Sequence, residues 1–60
     1  MTVLVPNTML QVGDVLALPM GRKAKVISVS VGHKFVNLET EEYGKTRVLR
    51  YETTLIEDKA

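Results

Sequence analysis

Sixty residues, a formal net charge of +1 and no cysteine bound what this chain can be. It is one small domain at most, since a chain of this size buries only about 60% of its unfolded surface, and disulfides and cysteine-based metal sites are excluded. A charge so near neutrality names no partner, and no apolar run approaches the ~18–20 residues of a membrane span.

In chain order, Val3-Leu4-Val5 is a short apolar run ended by Pro6-Asn7. Proline cannot donate to a ladder, so residues 1–8 read as an edge strand or an arm. Thr8 to Asp14 reads as a turn with apolar anchors, closed by Gly13-Asp14. Val15-Leu16-Ala17-Leu18 is the first full strand, and Pro19-Met20-Gly21 ends it and opens a loop. Lys25–Val31 and Lys34–Thr40 alternate with period two around Gly32-His33, which predicts a β-hairpin with Gly32 at positive φ in a type II′ turn. Val26 and Ile27 are adjacent apolar residues, and that slip in the alternation predicts a bulge.

Ile27, Val29 and Val31 are expected to face inward with Val36 and Leu38. Ser28, Ser30, Phe35, Asn37 and Glu39 are then expected to face outward, leaving Phe35 an exposed aromatic. Glu41 to Gly44 makes a polar turn, Thr46–Arg50 a fourth strand and Thr53–Glu57 a fifth, with Asp58–Ala60 a frayed tail. Nowhere do apolar residues recur at i, i+3, i+4 and i+7, so no substantial helix is expected.

The expected fold is all-β: a single SH3-like barrel of about five short antiparallel strands. An open meander that dimerises through an edge is the alternative. The expected core is Val15, Leu18, Val26, Ile27, Val29, Val36, Leu38, Val48 and Leu55. Ordering costs roughly 1.5 kcal/mol per residue against about 25 cal/mol per Å² of apolar burial, a balance near zero at this size. Stability therefore has to come from packing, sheet closure or self-association.

Little in the residues suggests chemistry. His33, the one histidine, sits at a turn tip that offers neither an orienting partner nor a dry pocket. Glu39, Glu41 and Glu42 read as a solvated turn, and no spacing suits a metal or other cofactor. The expectation is a non-enzyme. Two binding hypotheses remain. Arg22, Lys23, Lys25, Lys34, Arg47 and Arg50 could neutralise phosphates if their strands are neighbours, with Phe35 or Tyr51 stacking a base. Met20, Phe35, Tyr43 and Tyr51 could instead anchor a protein contact, since aromatics and methionine are enriched at interfaces. Protein contact, including self-association, is the favoured expectation, and nucleic acid the alternative.

Leu10-Gln-Val-Gly-Asp-Val15, followed by Gly21-Arg-Lys-Ala-Lys-Val26 and a glycine-turn hairpin, resembles SH3-like barrels of the KOW and Tudor type. A larger share of the chain, about half, is similar to small proteins encoded by actinobacterial phages. Val12 to Ala24 and His33 to Val48 carry that likeness. It implies a phage accessory protein working in the cytoplasm of a bacterial host, with a host or phage protein as partner, no membrane, and no established activity to carry over. The lack of cysteine and of a basic, signal-like start fits that compartment.

Overall fold

A computed structural model describes residues 1–57, and the tail expected at Asp58–Ala60 lies outside them. The described chain is all-β, one antiparallel sheet of six strands in the order β1-β6-β2-β3-β4-β5. The strands are β1 (Thr2–Pro6), β2 (Val15–Ala17), β3 (Lys23–Val31), β4 (Phe35–Thr40), β5 (Gly44–Leu49) and β6 (Thr53–Glu57). Single 3-10 turns at Asn7–Met9 and Pro19–Gly21 link β1 to β2 and β2 to β3. The arm-or-strand alternative at the start of the chain resolves as a strand, paired along its length with β6.

The sheet is not closed: its outermost strands, β1 and β5, do not pair. It is nevertheless curled. Six flat strands would span about 24 Å and be one layer thick, whereas the molecule measures 30 × 21 × 20 Å.

The curl originates in β3, whose nine residues pair with β2 at one end and with β4 at the other. Between Val26, opposite Thr40, and Ser28, opposite Glu39, Ile27 is an extra residue. This is the bulge that the Val26-Ile27 slip foretells, and such insertions bend a strand and sharpen its twist. It also shifts the parity of the strand. Ala24 and Val26 point inward before it, and Val29 is half-buried after it. Ile27 is left 44% exposed, and Val31 is exposed as well. The inward expectation for Ile27 came from counting by twos across a position where the count breaks, whereas Val31 does stand opposite the buried Val36, on the core side, and is exposed because it lies at the end of the strand.

Leu10, Leu16, Ala24, Val26, Val36, Leu38 and Ile56 form the core, with Val5, Leu18, Val29 and Val48 packed against it. Val15 is only half-buried, and Leu55 is exposed where Ile56 is buried. Continuous apolar runs such as Val15–Leu18 and Leu55-Ile56 do not reveal which neighbour faces in. Pairing decides it, because Leu16 stands opposite both Ala24 and Ile56.

Among the described residues three polar ones are buried, and each holds a junction. Asn7, 1% exposed, donates from its backbone N–H to the Glu52 carbonyl at 3.0 Å. Its Nδ2 donates to the Leu49 carbonyl at 2.5 Å, and its Oδ1 accepts the Thr54 hydroxyl. Asp14 accepts the Gln11 N–H on Oδ2 at 2.8 Å, and its carbonyl accepts the Val26 N–H at 2.8 Å. The Thr40 hydroxyl accepts from the Tyr43 N–H and donates to the Gly44 carbonyl, both at 3.1 Å. That closes the β4–β5 turn, with Gly44 at φ 73°.

Gly32 is not at positive φ, contrary to the type II′ expectation. Its N–H donates to the Phe35 carbonyl at 2.8 Å, and an added Cβ would lie 3.0 Å from that same oxygen. Close backbone approach, not handedness, accounts for glycine there.

Two stability predictions follow from this packing. Leu38→Ala should cost about 2–4 kcal/mol through lost transfer energy and a cavity, whereas Ile27→Ala on the outer face should cost less than about 1 kcal/mol; equal shifts in urea midpoint would invert the sidedness described here. Asn7→Ala should cost about 2–3 kcal/mol, because the Thr54 hydroxyl and Leu49 carbonyl lose their partner, and a chemical denaturation curve unchanged from wild type would refute that role.

Candidate functional site

The ten side chains singled out from the sequence do not share one surface. Arg22, Lys23 and Lys25 lie at the start of β3, and Lys34 follows its end. Eight residue steps of extended chain separate such positions by about 25 Å. The cations therefore fall into two groups, set at opposite ends of the longest strand.

The first group is locally countered by acids. Lys23 Nζ lies 3.1 Å from Glu57 Oε1. The Lys25 backbone N–H donates to Glu42 Oε1 at 2.9 Å, and its carbonyl accepts the Glu41 N–H at 2.9 Å. Both acids belong to the β4–β5 turn, which folds back over the start of β3 and carries Tyr43, exposed at its tip.

The second group sits with the aromatics. The Arg47 guanidinium stacks 4.4 Å from the centroid of Phe35, a cation–π contact of about 0.5–1 kcal/mol at a site open to water. Phe35 is consequently half-buried and not the exposed ring expected. Its cross-strand partner on β5 is Leu49. Arg50 lies 5.9 Å from the Tyr51 centroid and also holds the β3–β4 turn. Its Nη1 donates to the Gly32 carbonyl at 3.2 Å and its backbone N–H to the Lys34 carbonyl at 2.9 Å. Tyr51 itself is 87% exposed.

Met20 stands apart from the other three anchors. It occupies the Pro19–Gly21 loop at φ 64°, ψ 30°, the left-handed region that costs a residue with a Cβ roughly 1–2 kcal/mol. The loop is held shut by the Leu18 N–H donating to the Arg22 carbonyl at 2.9 Å, and Met20 projects from it 92% exposed. Beside this loop is an open depression of about 470 Å³ with Ala17, Leu18, Pro19 and Leu55 as its apolar lining and Arg22, Lys23 and Glu57 as charged neighbours.

The apolar ground continues onto β1, where Leu4 stands opposite Leu55 and is 67% exposed. Sequence reasoning did not assemble this surface. The adjacent Leu55-Ile56 pair was its signal, since only one of the two can face the core.

The outer face of β3, β4 and β5 is polar. Its cross-strand rows are Ser30–Asn37–Arg47 and Ser28–Glu39–Lys45, and a shallow dip of about 340 Å³ lies among Ser28, Ser30, Asn37, Glu39 and Lys45. His33 is exposed on its turn. Among the described residues no three of His, Asp and Glu group closely enough to hold a metal ion, and no helix is long and apolar enough to cross a membrane. Compared with known proteins, the chain matches no family model, no curated protein and no solved structure.

Phe35 and Tyr51 are now distinguishable. Phe35→Ala removes a half-buried ring together with the platform beneath Arg47, and should lower stability by about 1–3 kcal/mol. Tyr51→Ala should stay within about 0.5 kcal/mol. Thermal melts in which the two variants behave alike would contradict this assignment.

Proposed function

We propose that this chain is a non-catalytic interaction module that works by contacting a protein, and that it is a phage accessory protein acting in the bacterial cytoplasm on a host or phage partner. The observation that carries the reading is the open apolar depression beside Met20. A long, adaptable side chain is held outward by a strained loop next to Ala17, Leu18, Pro19 and Leu55. Backbone strain persists where the surroundings impose it, and it clusters at functional sites. Exposed methionine and leucine gain most from a partner that desolvates them.

The connectivity supports an SH3-like reading of the curled sheet. β2 to β5 form a meander, β3 bends across both halves, and β6 returns after a short turn to pair antiparallel with β2. In that reading β1 is an addition at the open side.

A second reading has its own observation. Lys34, Arg47 and Arg50 collect with Phe35 and Tyr51 at one end of the sheet, the pairing of cations and rings that single-stranded nucleic acid uses. It ranks lower because Arg47 already occupies a face of Phe35, and a net charge of +1 supplies little long-range attraction.

Capture from bacterial lysate with and without nuclease separates the two. Nuclease-resistant capture of one defined protein, weakened at least about tenfold by Met20→Ala, is the expected result for an anchor residue. The reading is overturned by capture that nuclease abolishes, with oligonucleotide affinity falling at a log–log salt slope of about −0.7 per phosphate neutralised on a single strand.

A further inference from the structure

The two open edges of the sheet are built differently. β5 carries Lys45 and Arg47, and cations on an edge strand discourage strand addition. β1, Thr-Val-Leu-Val-Pro, carries no charge at all.

The backbone hydrogen bonds fix which groups β1 leaves open. Antiparallel ladders alternate between pairs that exchange hydrogen bonds and pairs that do not. The Asn7 N–H donates to the Glu52 carbonyl, in line with a register that sets Val5 opposite Thr54 and Val3 opposite Ile56. Counting by twos, Val3 and Val5 direct their N–H and C=O groups to β6. Thr2, Leu4 and Pro6 direct theirs to the unpaired side. The donor that proline lacks is therefore one that β6 never uses, which explains why proline is tolerated here.

We infer that β1 is a self-pairing edge, joining two copies antiparallel about a two-fold axis through Leu4, so that their sheets run on continuously. This deepens the protein-contact reading and rests on it, naming a second copy of this chain as one partner.

The register follows from the open groups. With Leu4 opposite Leu4 of the second copy, the two leucines exchange N–H···O=C bonds. Each Thr2 N–H then meets the Pro6 carbonyl of the other copy, giving four bonds that require no donor from proline. On the outer face the row becomes Leu55–Leu4–Leu4–Leu55, an unbroken apolar strip. On the other face Val3 of one copy adjoins Val5 of the other.

The alternatives are poorer. Pairing β5 with β5 would bring the lysine and arginine of both copies together. Pairing β1 with β5 is head-to-tail and open-ended, whereas the two-fold arrangement closes at a dimer.

The absence of cysteine allows a clean test. Directly opposed, hydrogen-bonded residues have Cα atoms about 5.5 Å apart, within disulfide reach. Leu4→Cys should therefore cross-link under mild oxidation at least about tenfold faster than Thr46→Cys on the opposite edge, as expected for held rather than colliding thiols. Sedimentation equilibrium of the unmodified chain should show a monomer–dimer equilibrium below about 1 mM. Leu4→Pro should shift that equilibrium to monomer with an unchanged circular dichroism spectrum, since β6 does not use the Leu4 N–H.

A chain that remains monomeric to about 1 mM, or a dimer in which the two cysteine variants cross-link equally fast, overturns the inference. Neither result touches capture of a different protein through the Met20 depression, which fails only in the lysate experiment.

Discussion

A buried asparagine makes the two ends of this sequence into one structure. Asn7 bonds to Leu49, Glu52 and Thr54, residues more than forty positions away. Through them it ties the end of β1 to the end of β5 and the beginning of β6. Burying an amide in a core this small is unfavourable unless its groups are matched. Here the side-chain donor and acceptor are both engaged, and no buried side-chain polar atom among the described residues lacks a partner. Specificity follows from that matching: an apolar residue of similar size could fill the space, but it could not set the register of β1 against β6.

The second constraint is the bulge at Ile27, and together the two divide the labour. The bulge bends β3 so that one strand serves both halves of the sheet, and Asn7 closes the far side. The turns between them are local. The hydroxyl of Thr40 organises the β4–β5 turn, and Asp14 organises the chain before β2. Such turns are encoded by residues within a few positions of one another. The Asn7 contacts are not, since their partners lie at the end of β5, the start of β6 and the turn between them.

That distinction explains what could be read from the residues. The period-two runs, the bulge and the glycine-bounded turns were legible because their causes are local. Val26, Val36 and Leu38 were identified as core for the same reason. Leu16, Ala24 and Ile56 were not, because apolar residues in unbroken runs take their facing from a partner strand that the run does not specify. Gly32 was legible as a turn but not as a conformation, since a requirement for positive φ and a requirement for close approach look alike in sequence. Asn7 read as the residue that ends a strand, and nothing near it announced a long-range role. The candidate site suffered most. Its cations and rings were gathered by residue type, and the fold then distributed them along a bent strand.

Charge placement explains why the molecule has one soft edge and one guarded edge. At the start of β3, Lys23 pairs with Glu57 and the Glu42 carboxylate sits on the Lys25 backbone N–H, so acids offset part of the positive charge at that end. The cations on β5 lie along its open side and on the polar outer face, where they remain hydrated. The ground from β1 through Leu55 to the Pro19–Gly21 loop is mainly apolar, with Arg22, Lys23 and Glu57 at its border. A chain of sixty residues has little stability to spare, and each exposed apolar side chain forgoes burial it could have supplied. Placing Leu4, Leu55 and Met20 outward is a cost that the fold alone does not repay. The protein contact proposed above would recover that cost by covering them.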